Sequence, residues 1–179
     1  RPYVYWTDDF GATWRSISAN LPADEPVNVI REDHRNPDLL FVGTAKGIYV
    51  SFDGGNSWSS LRNNMPNVPI HDLVIHPRDN DLVVGTYGRS FWIADISPLQ
   101  EITRQALAKD AHLFDVAPQV LWISARQTQV ASVYQNYDGE NVPKGAVVYY
   151  MLRQPAMGPV TVQIYRGITL INQYRGPGE

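Results

Sequence analysis

The chain has 179 residues and a formal net charge of −3, with 44% hydrophobic and 18% charged residues, so its composition is that of a globular protein and not of a disordered one. It contains no run of Lys or Arg, which excludes the electrostatic footprint of a protein that binds nucleic acid or an anionic membrane surface. It has no cysteine, hence no disulfide or thiolate metal site, and no apolar run of the ~18–20 residues that a membrane helix needs.

The opening residues have the pattern of a strand. Aromatic residues dominate the alternating run Tyr3-Val4-Tyr5-Trp6, which favours a half-buried strand. No signal peptide precedes this run, since the chain starts almost directly in it. We therefore expect the sequence to begin inside a longer protein.

A short motif follows this strand and recurs once, and its two tryptophans lie 44 positions apart. It reads Ser/Thr-x-Asp-x-Gly-x-Ser/Thr-Trp, and an alternating strand with aromatic residues precedes it both times. Self-similarity at a fixed period indicates a repeat architecture. The motif residues are Thr7, Asp9, Gly11, Thr13 and Trp14 in the first copy, and Ser51, Asp53, Gly55, Ser57 and Trp58 in the second.

Each position of the motif has a mechanical reason. The Asp can accept backbone N–H bonds within a tight hairpin, and the Gly can adopt a positive φ there. The hydroxyl residues can close further local bonds, while the Trp offers a large apolar face to a neighbouring sheet. Identical chemistry in successive repeats is typical of a scaffold. We therefore interpret both motifs as structural hairpin locks; the alternative is that Asp9 and Asp53 are catalytic or bind a metal.

The repeat continues beyond the motifs. Asn20-Leu21-Pro22 matches Asn64-Met65-Pro66, and the stretch that starts at Asp38 matches the stretch that starts at Asp81. A period of about 40–45 residues with four short strands is typical of a β-propeller blade. The predicted strands are 27–33, 39–44, 48–52 and 57–61 in one full blade, 2–7 and 13–17 in an incomplete blade before it, and 70–76, 82–87 and 90–95 in an incomplete blade after it. The sequence thus predicts an all-β fold that contains a partial β-propeller.

The repeats end where a third motif would fall, because the chain reads Ile93-Ala94-Asp95-Ile96-Ser97-Pro98 there. The two motifs resemble the Asp-box, or bacterial neuraminidase, repeats of β-propellers in sialidases, xyloglucanases and sortilin-like receptors. The run from Asn80 to Ile93 is similar to the final blade of large secreted bacterial proteins described as sortilin-like or glycosyl-hydrolase-like. The resemblance covers residues 1–96. It implies a C-terminal fragment of a secreted or periplasmic protein, in which a linker and a small β-sandwich follow the propeller.

A linker and a second domain are expected after the repeats. Ser97 and Pro98 have the pattern of a helix N-cap and first position, and apolar residues at helical spacing predict a short helix over about 98–108. Strand patterns then predict the start of an immunoglobulin-like β-sandwich, which we expect the sequence to leave unfinished at 175–179. The predicted sandwich strands cover parts of 130–134, 146–152, 160–165 and 170–171. The predicted domains are the partial propeller 1–96, the linker 97–128 and the partial sandwich 129–179.

The topology of a blade indicates where a ligand would bind. In an antiparallel four-stranded blade, the turn that holds the motif lies at the same end as the turn between the first two strands, so we expect ligands at the opposite end. That end would be lined by the segments 22–28 and 66–72 and by the turns between second and third strands. Positions that differ between repeats are free for function there. The ligand-binding candidates are Lys46, His71, Asp72, Tyr87 and Arg89.

Two functions remain open. In the first, the chain belongs to a non-catalytic propeller that binds protein or glycan. In the second, it belongs to a glycoside hydrolase of the sialidase or xyloglucanase type, with most catalytic carboxylates in other blades. Asp72 would then be one of two carboxylates about 5–10 Å apart, with Tyr87 and Arg89 gripping a sugar. The alternative for these residues is an exposed turn in which Arg89 pairs with Asp72.

The histidines and the sheet edges of the predicted fold indicate which cofactors and partners to expect. His34, His76 and His112 have no second ligand at metal spacing, so neither a metal nor another cofactor is expected. Incomplete blades expose unpaired sheet edges and apolar faces, which favours association. We expect the chain to pack against the remaining blades of its own polypeptide or against a symmetry-related copy, and not against nucleic acid or a membrane.

Overall fold

The computed structural model describes residues 1–119 and 145–176. Strands dominate these residues and form small antiparallel sheets, while the helices are short. The all-β class predicted from the sequence is therefore confirmed. The chain divides into two compact units, Arg1–Asp110 and Ala111–Glu179.

Three sheets follow one another along the first unit, and each strand pairs with its neighbour in sequence. Every strand overlaps the range predicted for it. The first sheet is β1 (Tyr5–Trp6) and β2 (Arg15–Ser16); the second is β3 (Val27–Glu32), β4 (Leu40–Thr44), β5 (Ile48–Ser51) and β6 (Ser59–Ser60); the third is β7 (Ile70–Ile75), β8 (Asp81–Thr86) and β9 (Phe91–Asp95).

The second sheet lies between the other two, because its two faces belong to different apolar clusters. Strand side chains alternate between faces, so Tyr49 serves one cluster while its neighbours Ile48 and Val50 serve the other. The cluster on the side of the first sheet contains Val4, Ile17, Leu21, Leu40, Val42, Tyr49 and Trp58. The cluster on the side of the third sheet includes Val29, Phe41, Ile48, Val50, Ile70, Leu73, Leu82 and Val84. The three sheets are therefore stacked face to face.

Polar contacts also join the first sheet to the second. The Asn20 amide donates from Nδ2 to the Trp58 carbonyl and accepts at Oδ1 from the Trp58 backbone N–H, each over 2.8 Å. The Trp58 indole donates from Nε1 to the Ile17 carbonyl over 2.7 Å. Asn20 thus satisfies both backbone groups of Trp58, the residue before β6, as a peptide group of a neighbouring strand would.

Gly43 allows the second and third sheets to approach each other closely. A Cβ atom on Gly43 would lie 2.6 Å from Cγ2 of Ile70 and 2.8 Å from Cγ1 of Val29. Gly85 holds the same register position in the third sheet, opposite the first strand of that sheet. The nearest atom to a Cβ on Gly85 would be 3.6 Å away, so the corresponding notch of the third sheet is open.

The hydrogen bonds shift the alignment of the second and third repeats by one residue. The carbonyls of Asp38 and Asn80 each accept from the chain that follows the third strand of their sheet, so Asp38 corresponds to Asn80 and not to Asp81. Asp81 therefore takes the place of Leu39, which is fully buried. Burial raises the pKa of Asp81, and the carboxylate of Asp95, its partner on the neighbouring strand, raises that pKa further.

The single helix predicted after the repeats is wrong. Two four-residue helices take its place, α1 (Ser97–Gln100) and α2 (Arg104–Leu107). Thr103 separates them, because its backbone is extended and its hydroxyl accepts from the Ala106 N–H as an N-cap. Ser97 is the first helical residue and not the N-cap, which is Ile96. Neither helix, nor any other in the described ranges, is long and apolar enough to cross a membrane.

The helix α1 is tied to the first turn of the second sheet. The Asn36 amide donates to the carbonyls of Gln100 and Ile102, over 3.2 and 3.4 Å. In return, the Gln100 amide donates to Oδ2 of Asp33 over 2.7 Å, and Asp33 is buried. The residues that follow the third sheet, where a third motif would begin, are thus hydrogen-bonded to the turn between β3 and β4 of the second sheet.

The described residues of the second unit, 111–119 and 145–176, contain two antiparallel pairs of strands. β10 (Ala111–Leu113) pairs with β11 (Tyr150–Leu152), and β12 (Val160–Arg166) pairs with β13 (Thr169–Gly176). The last three strands fall where the sequence predicts strands, whereas β10 was not predicted. The strand predicted near 130–134 lies outside the described residues, and the β-sandwich stays a prediction.

Candidate functional site

The two motifs, 7–14 and 51–58, are called Asp boxes below after their central aspartates. Their aspartate and hydroxyl residues form the same hydrogen bonds. In the first, Thr7 Oγ1 donates to Asp9 Oδ1 over 2.8 Å, and the Asp9 carboxylate accepts from the backbone N–H and the hydroxyl of Thr13 over 2.8 and 2.7 Å. In the second, Ser51 Oγ donates to Asp53 Oδ1 over 2.8 Å, and Asp53 accepts from the backbone N–H and hydroxyl of Ser57 over 2.8 and 2.6 Å.

The glycine of each motif completes the turn. Gly11 and Gly55 have φ values of 90° and 84°, a conformation that a residue with a side chain rarely adopts. Their N–H groups donate to Thr7 Oγ1 and Ser51 Oγ, over 2.9 and 2.8 Å. The hydroxyls, the carboxylate and the glycine N–H of each motif thus bond within the hairpin itself, which favours the structural interpretation over a catalytic one.

The motif holds its carboxylates in the charged form. Hydrogen bonds from the Thr13 hydroxyl and backbone lower the pKa of Asp9 to about 2. For Asp53, burial raises the pKa, but the hydrogen bonds from Ser57 and Ser51 outweigh burial and the pKa lies below its usual value. A carboxylate of this kind is a poor proton donor near neutral pH.

We expect acid to weaken the first unit through these two residues. The folded-state pKa of Asp9 is about 2 and that of Asp53 lies below the ordinary value of 3.8, so each carboxylate adds stability that is full above pH 3.8 and is lost as the pH falls through its own folded-state pKa. Urea unfolding of the variant Asp53→Asn, followed by circular dichroism, should show a smaller acid-dependent loss than the wild type. Asp8→Asn, at an exposed residue beside Asp9, is the control and should keep the wild-type acid dependence. An unchanged profile for Asp53→Asn contradicts the prediction.

The predicted ligand-binding end lies opposite the Asp boxes. The Asp38 carbonyl, in the first turn of the second sheet, accepts from the N–H of Gly54 within the Asp box, so these two turns share one end. At the other end, Ala45 and Tyr87 follow the second strands of their sheets. Their N–H groups donate to the carbonyls of Pro26 and Pro69, over 3.0 and 2.9 Å. The turns that carry the ligand-binding candidates therefore lie beside the segments that enter each sheet.

His71 and Tyr87 form an aromatic pair at this end of the third sheet. Their ring centroids are 5.4 Å apart with an interplanar angle of 21°, and Tyr87 is 70% exposed. The second sheet has Asn28 and Ala45 at the corresponding positions, and Asn28 instead donates to the Ile70 carbonyl of the third sheet over 3.0 Å. The aromatic pair is thus peculiar to the third sheet and leaves a flat ring face open.

Asp72 pairs with Arg31 and not with Arg89. The Arg31 guanidinium donates to Asp72 Oδ1 over 2.7 Å, and both side chains are about half exposed. This pair joins the first strands of the second and third sheets, which lie against each other. Arg89 is exposed in the turn after β8 and forms no ion pair with the rest of the described chain. The suggested Asp72–Arg89 pair is therefore wrong.

Lys46 is engaged in an ion pair at the same end of the second sheet. Its ammonium donates to the Asp24 carboxylate. The hydrogen bond to Lys46 lowers the pKa of Asp24, and the same bond raises the pKa of Lys46. Both side chains are largely exposed, so the pair is open to exchange with a charged ligand.

A buried carboxylate next to this pair was missed by the sequence analysis. Glu25 is 5% exposed, and its Oε2 accepts from the Thr44 hydroxyl over 2.8 Å and from the Tyr49 hydroxyl over 3.1 Å. Burial, followed by the hydrogen bond to Glu25, raises the pKa of the Tyr49 phenol. A buried phenol with a raised pKa is a poor nucleophile. The cluster therefore joins the segment before β3 to the end of β4 and to β5.

A comparison of the repeats could have found Glu25. It precedes Pro26 as Val68 precedes Pro69, and both Glu25 and Val68 are buried. A carboxylate at a position where the next repeat has a valine is the kind of difference that marks a specific role.

We expect Glu25→Val to destabilise the first unit by about 1–3 kcal/mol, because it leaves the buried hydroxyl of Tyr49 without its acceptor. The double variant Glu25→Val/Tyr49→Phe removes both partners and should recover part of this loss. Asp24→Val, at the exposed neighbour, is the control and should change stability little. Equal stability of Glu25→Val and the wild type in urea unfolding would show that these buried hydrogen bonds do not stabilise the first unit.

No group of three or more His, Asp or Glu side chains in residues 1–119 and 145–176 could hold a metal ion. His34 Nδ1 lies 3.9 Å from Asp33 Oδ2, and His76 Nδ1 lies 3.2 Å from Asp79 Oδ2, which also pairs with Arg78. No protein-family model matches the chain, and no curated protein matches it significantly.

Proposed function

We propose that the chain is part of an Asp-box β-propeller of the sortilin-like type, with one full and two incomplete blades. Three features support this: the motif repeats, its aspartate and hydroxyl residues form the same hydrogen bonds in both copies, and the stacked sheets share one order of strands. In this proposal the second unit begins an immunoglobulin-like sandwich. The protein is secreted or periplasmic, and its other blades come from the same polypeptide or from another copy.

The proposed activity is non-catalytic binding of a glycan or a protein at the end opposite the Asp boxes. The observation that carries this proposal is the exposed His71–Tyr87 pair, at positions where the preceding repeat has Asn28 and Ala45. An exposed aromatic face stacks on the C–H face of a sugar ring or on an apolar side chain, and its hydroxyl serves as a polar handle. Arg89, at the same end, offers hydrogen bonds to hydroxyl or carboxylate groups, and Asp72, next to His71, is paired with Arg31 farther along the neighbouring strand.

Binding of a glycan array by the full chain tests this proposal. Tyr87→Ala should reduce the signal of any bound glycan about tenfold or more, since an anchoring aromatic residue contributes about 2 kcal/mol or more to binding. Tyr165→Ala, at an exposed tyrosine of the second unit, is the matched control and should bind as the wild type does. If no glycan binds, or if Tyr87→Ala binds equally well, the aromatic pair is not a glycan site.

Membership of a glycoside hydrolase is the alternative, with Asp72 as one of its carboxylates. No contact of Asp72 favours it, because its carboxylate accepts from Arg31 and from the backbone N–H of Leu73. Release of reducing sugar from polysaccharide substrates, compared between the wild type and Asp72→Asn, separates the two functions. Activity that disappears in Asp72→Asn would establish the hydrolase and overturn the binding role.

A further inference from the structure

The strand that carries His71 has one extra residue at the end opposite the Asp boxes. Its pairing with β8 shifts register between Ile70 and Asp72, which makes His71 a β-bulge. A bulge often re-aims a side chain beside a functional site. His71 and Asp72 are both exposed here, although strand residues normally alternate, and Ile70 and Leu73 on either side of them are buried. The bulge thus presents the His71 ring to Tyr87.

The turn after β8 is one residue longer than the corresponding turn after β4. Two residues separate the hydrogen-bonded ends of this turn in the second sheet, and three separate Thr86 from Ser90 in the third. Gly88 and Ser90, on either side of Arg89, have φ values of 73° and 64°, and this conformation is uncommon for serine. A Cβ atom on Gly88 would meet no atom within 4 Å. The longer turn therefore carries Arg89, two residues after Tyr87, into solvent.

The acidic residues at this end of the second and third sheets are already engaged. The segments 22–28 and 66–72 contribute three of them: Asp24, Glu25 and Asp72. Asp24 and Asp72 each form an ion pair within the chain, and Glu25 is buried and accepts from two hydroxyl groups. The Arg89 guanidinium forms no ion pair with the described residues, so its N–H donors are open to a ligand.

We propose that the ligand of this end is an acidic glycan whose sugar rings carry carboxylate groups, that is, a polyuronate. A uronate ring offers its C–H face to Tyr87 and its carboxylate to Arg89. The planar guanidinium matches a carboxylate through two parallel N–H···O bonds, and such charge-assisted bonds are about twice as strong as those to a neutral hydroxyl. The inference rests on the binding function proposed above and names the chemical class of its ligand.

Titration calorimetry of the full chain tests the proposal with oligosaccharides of galacturonate, mannuronate and glucuronate, each beside its neutral methyl ester. At least one acid form should bind about tenfold or more tightly than its ester, and added salt should weaken only the acid form. Arg89→Gln should lower the affinity for the acid form to that for the ester and leave the ester unchanged. Tyr87→Ala should weaken both forms, because the ring stacks on either. Arg166→Gln, at an exposed arginine of the second unit, is the control and should bind as the wild type does.

The neutral esters separate a failure of this inference from a failure of the proposed function. Acid forms that bind no better than their esters, or that bind Arg89→Gln as tightly as the wild type, overturn the polyuronate inference and leave glycan binding intact. A sulfated galactan that binds where every uronate fails overturns the assignment to carboxylates. If neither acid nor ester forms bind, and no neutral glycan of the array binds, the inference and glycan binding both fail. Circular dichroism checks that each variant is folded.

Discussion

Trp58→Ala is expected to destabilise the first unit by about 3–5 kcal/mol, the usual cost of removing a large buried aromatic side chain. Trp58 is 4% exposed between the first and second sheets, and its indole N–H donates to the Ile17 carbonyl. The truncation leaves a cavity in this interface and a buried carbonyl without its donor. Urea unfolding followed by circular dichroism measures the loss.

Trp14→Ala is the matched control for this experiment. Trp14 ends an Asp box with the same hydrogen bonds, but it is 60% exposed and its indole N–H donates locally to the Gly11 carbonyl. Its truncation should change the free energy of unfolding by less than about 1 kcal/mol at protein concentrations too low for association. Equal losses for Trp14→Ala and Trp58→Ala would mean that the motif, and not the packing between sheets, sets the effect.

Gly43→Ala is expected to destabilise the same unit by about 1–3 kcal/mol through overpacking. The new methyl group would lie 2.6 Å from a side-chain atom of Ile70 and 2.8 Å from one of Val29, both held in the core between sheets. The sheets must move apart to admit it, since branched side chains on strands have few other rotamers. Thermal unfolding measures the change.

Gly85→Ala separates this crowding from the general effect of replacing a glycine. Gly85 holds the same register position, but the nearest atom to the new methyl group would be 3.6 Å away. Its replacement should leave stability within about 0.5 kcal/mol of the wild type or raise it slightly, because alanine restricts the unfolded chain. A loss as large as that of Gly43→Ala would contradict the difference between the two notches.

The sequence was sufficient for the strands of the repeats because their signals are local. The Asp box fixes each hairpin through bonds between residues two to four positions apart, and the alternation of side chains assigns each strand its faces. A periodic pattern of this kind requires no knowledge of distant contacts. The same reasoning failed for the helix after the repeats, because Thr103 begins a new helix through its own hydroxyl bond and divides the predicted one.

The contacts of the candidate site depend on distances that the sequence does not contain. The alternative interpretation paired Asp72 with Arg89 of the same repeat, yet the partner of Asp72 is Arg31, which is 41 residues away. The alignment of Asp38 with Asp81 failed for a related reason. Two similar Asp-Leu pairs lie one residue out of register, and only the hydrogen bonds between neighbouring strands reveal the shift.

The clamp between Asn20 and Trp58 has a consequence for the order in which the unit assembles. Bonds within an Asp box span at most four residues, whereas Asn20 and Trp58 are 38 residues apart. Short loops close much sooner than long ones, so the hairpins form first and the stacking of sheets follows. We expect unfolding to run in the reverse order: the outer sheets, each supported on one side, should detach before the second sheet opens, and partly opened chains should retain their hairpin turns.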